Sequence, residues 1–74
     1  MSYQKKMDRV LSNLENIKQV KIEDSEAYNE FYVTVIYQNG SDIIICDNSE
    51  EVNIVYRYIT QKLNEFNKSK SLKI

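Results

Sequence analysis

The side chains best equipped for chemistry are few. They are one thiol, Cys46, an adjacent pair of carboxylates, Glu50 and Glu51, and a block of acids spread through the middle of the chain. Nucleophilic or general-base catalysis needs a base within reach of the reacting group, and the chain contains no histidine. Cys46 ends an isoleucine run and precedes Asp47, the setting of a core-filling thiol, not a reactive one. Glu50 and Glu51 fall where a helix should begin, and their charge suits its N-terminal dipole. A lone thiol without imidazoles leaves no ligand set for structural zinc, and one glycine cannot build a phosphate-cradling loop. The residues predict neither an enzyme nor a cofactor, metal or small-molecule site.

Charge order carries more information. The net charge is −1, yet the signs are segregated. Residues 1–21 hold Lys5, Lys6, Arg9, Lys18 and Lys21 against two acids, and residues 57–74 hold Arg57, Lys62, Lys68, Lys70 and Lys73 against one. Residues 22–56 contain no lysine or arginine and eight acids: Glu23, Asp24, Glu26, Glu30, Asp42, Asp47, Glu50 and Glu51. If these gather at one end of the fold, the result is an acidic pole that a basic nucleic-acid groove would attract. The blander alternative is a solvated acidic edge that keeps the sheet from aggregating.

The elements that must position these residues follow from periodicity. Tyr3, Met7, Val10, Leu11, Leu14 and Ile17 form one helical stripe, predicting a helix over residues 3–17. Val20 to Glu23 alternates like a short strand, and residues 24–29 read as a polar loop. Phe31–Gln38 and Asp42–Cys46 flank Asn39-Gly40, a pair suited to a type I′ hairpin turn. That turn would set Val35 opposite Ile44, Val33 opposite Cys46 and Tyr37 opposite Asp42. Phe31, Val33, Val35, Ile44 and Cys46 would share one face, and Tyr32, Thr34, Ile36, Ile43 and Ile45 the other. Both faces are apolar, so the second is a contact surface or covered by a partner; the blander alternatives are helices that straddle the sheet, or isoleucines that simply line its outer side.

Asn48 with Glu51 three residues on resembles a capping box, opening a helix whose stripe is Val52, Val55, Tyr56, Ile59, Leu63 and Phe66. Residues 68–74 are expected to fray as a basic tail. The whole is predicted to be one domain, residues 1–74, of class α+β: a three-stranded antiparallel sheet with N- and C-terminal helices, in the order α-β-β-β-α. No apolar run approaches the roughly 20 residues of a membrane span, no signal-peptide pattern opens the chain, and a single cysteine suits a reducing cytoplasm. The abundance of lysine, asparagine and isoleucine hints at an AT-rich bacterial or phage genome.

Double-stranded RNA-binding domains share this element order, but they need basic residues at the start of the last helix, where this chain has Asp47-Asn48-Ser49-Glu50-Glu51. A different resemblance is carried by Gln38-Asn39-Gly40-Ser41-Asp42, the strand Ile43-Ile44-Ile45, and Ile54-Val55-Tyr56-Arg57-Tyr58-Ile59-Thr60 through Asn64, Phe66 and Asn67. With Val20-Lys21-Ile22 as a first strand, these stretches resemble the small phage anti-CRISPR proteins that inhibit type II RNA-guided nucleases by mimicking PAM DNA. The resemblance covers about half the chain. It implies an α-β-β-β-α frame that presents an acidic hairpin and loop to the nuclease groove. By position it makes Asn39, Gly40, Ser41 and Asp42 the hairpin contact. The family's turn aspartate is matched only by Asn39, and its acidic segment after the last helix is replaced here by Lys68-Ser69-Lys70-Ser71.

The leading expectation is therefore a stoichiometric inhibitor of a bacterial defence nuclease, phage or prophage encoded and acting in the host cytoplasm. Its contact residues would be Glu23, Asp24, Glu26, Tyr28, Glu30, Asn39, Gly40, Ser41, Asp42, Asp47, Glu50 and Glu51. The alternatives are a homodimer or accessory subunit pairing through Tyr32, Ile36, Ile43 and Ile45, and a nucleic-acid-binding module using the basic termini.

Overall fold

The computed structural model describes residues 4–71, with side chains from Lys5 to Ser69. Helix α1 spans Gln4–Ser12, a single 3₁₀ turn spans Leu14–Asn16, and strands β1 (Ile17–Ser25), β2 (Glu30–Tyr37) and β3 (Gly40–Ile45) follow. Helix α2, Ser49–Ser71, completes the chain. The strands form an antiparallel meander in the order β1-β2-β3. The architecture is the α+β, α-β-β-β-α arrangement the periodicity predicts.

Both helices pack on one face of the sheet. Met7 and Val10 of α1, Val33 and Val35 of β2, Ile44 and Cys46 after it, and Val52, Val55 and Ile59 of α2 make a single buried cluster. The opposite face has no helix, and there Ile43 and Ile45 are 44% and 68% exposed. Residue alternation explains the division, since every buried sheet residue shares one parity along its strand.

Helix α1 ends five residues earlier than its apolar stripe suggests. Ser12 Oγ donates to the Asp8 carbonyl at 2.9 Å and Asn13 Nδ2 to the Arg9 carbonyl at 2.8 Å. These side chains satisfy the last carbonyls and compete with helix continuation. Leu14 therefore falls in the 3₁₀ turn and Ile17 opens β1, while Tyr3 lies outside the described residues. Strand β1 is longer than Val20–Glu23 suggests, because pairing along the whole of β2 recruits Gln19, Asp24 and Ser25, residues of poor intrinsic strand preference, while Lys18 is left without a partner at an irregularity between Ile17 and Gln19. Only Glu26–Asn29 remain as a turn. The Asn29 amide donates to the Glu26 carbonyl at 3.2 Å, and Asn29 takes the left-handed conformation, φ 52°.

The second hairpin departs from its predicted register. Tyr37 pairs with Gly40, so Gln38 and Asn39 form the loop, Val33 opposes Ile44, and Val35 opposes Asp42. No residue of this turn has positive φ, so it is not the type I′ turn that Asn39-Gly40 suggests. Each β3 residue moves by two relative to β2, one full pleat, so the faces are those expected while the cross-strand neighbours differ. Gln38 is held from outside the hairpin, its amide donating to the Asn16 carbonyl at 3.0 Å.

Helix α2 begins as predicted. Asn48 Oδ1 accepts from the Glu51 amide at 2.9 Å, while Glu51 Oε1 reaches back to the Asp47 amide at 3.0 Å, one residue before the cap. The helix continues through Ser71, past the point where fraying is expected. The rest of the basic tail, with Lys73, lies outside the described residues. No described helix is long and apolar enough to cross a membrane.

Candidate functional site

A meander puts its first turn and the end of its third strand together. Here that end collects Glu23 and Asp24 from β1, Glu26 and Tyr28 from the turn, Glu30 from β2, and Asp47, Glu50 and Glu51 from the entry to α2. Three contacts fix the elements to one another. The Cys46 amide donates to the Phe31 carbonyl at 2.8 Å, Ser25 pairs with Glu30 across the hairpin, and Ser49 Oγ donates to Asp24 Oδ2 at 2.7 Å. The last bond joins the first strand to the last helix. Of these eight residues only Glu51 is half-buried, and Tyr28 is 78% exposed.

Among the described residues none of these seven carboxylates has a basic ion-pair partner. The two ion pairs found, Arg9–Asp42 and Lys62–Glu65, lie elsewhere. Nor do any three acids there stand close enough to hold a metal ion. The pole is a diffuse negative field, not a cation cage. Asp47, Glu50 and Glu51 also complement the exposed amides of the first turn of α2, so part of their role is local.

The other four expected contact residues are elsewhere. Asn39, Gly40, Ser41 and Asp42 belong to the second hairpin, at the opposite end of the eight-residue β2, roughly 25 Å away. Asn39, Gly40 and Ser41 are exposed. Asp42 sits on the helix-covered face, its side chain 14% exposed. It accepts from Tyr37 Oη at 2.9 Å and lies 3.6 Å from Arg9 Nε. It is thus an internal partner of α1 and β2. The alternating pattern holds the signal: Asp42 shares parity with Ile44 and Cys46.

Two groups titrate abnormally. Tyr37 is pushed up to about 12, first by burial, then by its hydrogen bond to Asp42 and that carboxylate's charge, with Arg9 opposing. The Cys46 thiol is raised by burial, then by Glu51 and Asp47, which keeps it protonated and unreactive. Its place in the apolar cluster agrees with a core-filling role. The concave surface along α2, lined by Arg57, Thr60, Gln61, Asn64, Glu65 and Lys68, has walls from that helix alone and is open to solvent.

Comparison with protein-family models, with characterised proteins and with solved structures returns no match.

Proposed function

We propose that this chain is a non-catalytic binding domain whose acidic pole docks on a basic, nucleic-acid-binding surface of another protein. The observation that carries the reading is the convergence of Glu23, Asp24, Glu26, Glu30, Asp47, Glu50 and Glu51 at one end, without basic partners there among the described residues. Such a field competes with a phosphate backbone for lysine and arginine, while Tyr28 adds an exposed ring and hydroxyl for directional contact. The resemblance of the second hairpin and last helix to anti-CRISPR proteins supplies the partner class: a type II RNA-guided nuclease of a bacterial host, met in the cytoplasm by a phage-encoded inhibitor.

Within this reading the contact surface shifts from the second hairpin to the first. Asp42 is already engaged by Tyr37 and Arg9, so Glu26, Tyr28 and Glu30 take the leading role. The test is titration of a purified type II nuclease with wild-type protein and with Glu26→Lys/Glu30→Lys. The expected result is tight, salt-sensitive binding that the double reversal weakens at least about tenfold while the fold persists. Equal binding by the two proteins removes the mechanism.

The bare sheet face supports a second reading, an accessory subunit docking through Ile36, Ile43, Ile45 and Tyr32, because Ile45 is 68% exposed. Loss of partner binding in Ile45→Lys, with the acidic pole intact, would favour it.

A further inference from the structure

The two edges of the sheet are treated differently. At the β3 edge, α1 packs against the strand and Lys6 Nζ donates to the outward carbonyl of Ile43 at 2.7 Å. A lysine held on the edge in this way disfavours strand addition there. The β1 edge spans nine residues, with a bulge at its start, and α2 packs against its helix-bearing side. Among the described residues, however, no side chain bonds the outward backbone groups of Val20, Ile22 or Asp24, and Ile22 is 45% exposed although it lies on that side. We propose that β1 is an interaction edge whose partner is β1 of a second copy of this chain, paired antiparallel about a two-fold axis at Ile22 to give a six-stranded sheet.

Backbone direction comes first. The Phe31 carbonyl accepts from the Cys46 amide, so the Phe31 backbone groups point toward β3. Alternation then aims Tyr32, Thr34 and Ile36 at β1, where they meet Glu23, Lys21 and Gln19. The amides and carbonyls of Val20, Ile22 and Asp24 consequently point to the open edge. A two-fold at Ile22 pairs Ile22 with Ile22 and Val20 with Asp24, which uses all three outward residues as hydrogen-bonded pairs.

Charge then selects the register. Strand β1 is basic in its first half (Lys18, Lys21) and acidic at its end (Glu23, Asp24), so antiparallel copies present opposite signs. Centring on Ile22 places Lys21 opposite Glu23 twice, on the face away from the helices, and stacks the two exposed Ile22 side chains on the other. Centring one residue earlier sets Lys21 against Lys21, and one residue later sets Glu23 against Glu23. Like charges directly opposite are unfavourable, so of these three centres Ile22 is favoured, and it is the one that sets Lys21 against Glu23. In this dimer the two acidic poles lie at opposite ends: Glu23 and Asp24 of each copy enter the interface, while Glu26, Tyr28 and Glu30 in the first turn stay outside it.

The test is sedimentation equilibrium of the full chain from micromolar to millimolar concentration, with a charge-swap cycle. Wild type is expected to reach twice the 8.8 kDa chain mass. Lys21→Glu and Glu23→Lys each set like charges opposite one another and should weaken the dimer about tenfold. The double variant restores the pair within each new interface and should recover most of the loss. Ile45→Lys, on the uncovered face, should leave the dimer intact. Hydrogen exchange on wild type is the check that needs no variant: amides of Val20, Ile22 and Asp24 should slow as concentration rises, and those of Lys21 and Glu23 should not. A strict monomer overturns the proposal. So does a dimer that ignores the swaps and breaks with Ile45→Lys, or concentration-independent exchange at the three edge amides.

Discussion

Tyr37 and Asp42 are joined diagonally across the second hairpin, the phenol donating to the carboxylate at 2.9 Å on the helix-covered side of the sheet. Tyr37 pairs in register with Gly40 and Asp42 with Val35, so the bond spans one pleat and ties the hairpin to Arg9 of α1. Asp42 therefore belongs to the frame that holds the sheet against α1.

Tyr37→Phe should cost about 1.5–2 kcal/mol at neutral pH, the lower part of the range for a hydrogen bond to a charged acceptor, because the site is only partly buried. The same pair predicts a pH dependence. Tyr37 ionises near 10 when unfolded and near 12 when folded, so the folded chain holds this proton more tightly. Its contribution is complete below pH 10 and is lost as pH rises toward 12. Urea midpoints measured from pH 8 to 12 should fall more steeply in wild type than in Tyr37→Phe. Parallel curves would show that the phenol is not held by Asp42.

Neighbouring isoleucines should respond in opposite ways. Ile44 is fully buried and Ile45 is 68% exposed. Ile44→Ala should cost about 2–5 kcal/mol, enough to unfold much of a domain this small, whereas Ile45→Ala should change stability by less than about 0.5 kcal/mol. Thermal melts followed by circular dichroism decide it. Equal losses at the two positions would mean that both sheet faces are covered.

Gly40→Ala separates the observed turn from the one its Asn-Gly pair suggests. Gly40 has no positive φ, and a Cβ added there meets nothing within 4 Å. Alanine should be neutral or stabilise by about 0.4–1 kcal/mol through the unfolded chain's entropy. A loss above about 1 kcal/mol in chemical denaturation would restore the type I′ turn.

Asn48→Ala removes the side chain that accepts from the Glu51 amide. The expected cost is about 1 kcal/mol, and Asn48→Asp should recover it, because either side chain can cap and the added charge suits the helix start. A null effect in urea denaturation would mean that the Ser49–Asp24 bond alone anchors the entry to α2.

Sequence periodicity by itself located the centre of the core, though Leu11, Leu14, Ile17, Tyr56, Leu63 and Phe66 on the same stripes are only half-buried. The parities of Val33, Val35, Ile44 and Cys46 and the spacing of Val52, Val55 and Ile59 identify the core, because strand and helix periods depend only on local geometry. Asn48 marked the start of α2 for the same reason, a cap being a contact over three residues. Tertiary structure decided the rest. Helix α1 stops where Ser12 and Asn13 turn back on their own carbonyls, and β1 lengthens because β2 offers partners along its whole length. The second hairpin slides one pleat, a change to which burial parity is blind. Packing both helices on one face left the other bare, and the meander split the expected contact residues, carrying eight to one end and Asn39 to Asp42 to the other. Charge segregation along a chain becomes a surface only when strands bring distant segments together, and that is a long-range contact no local pattern encodes.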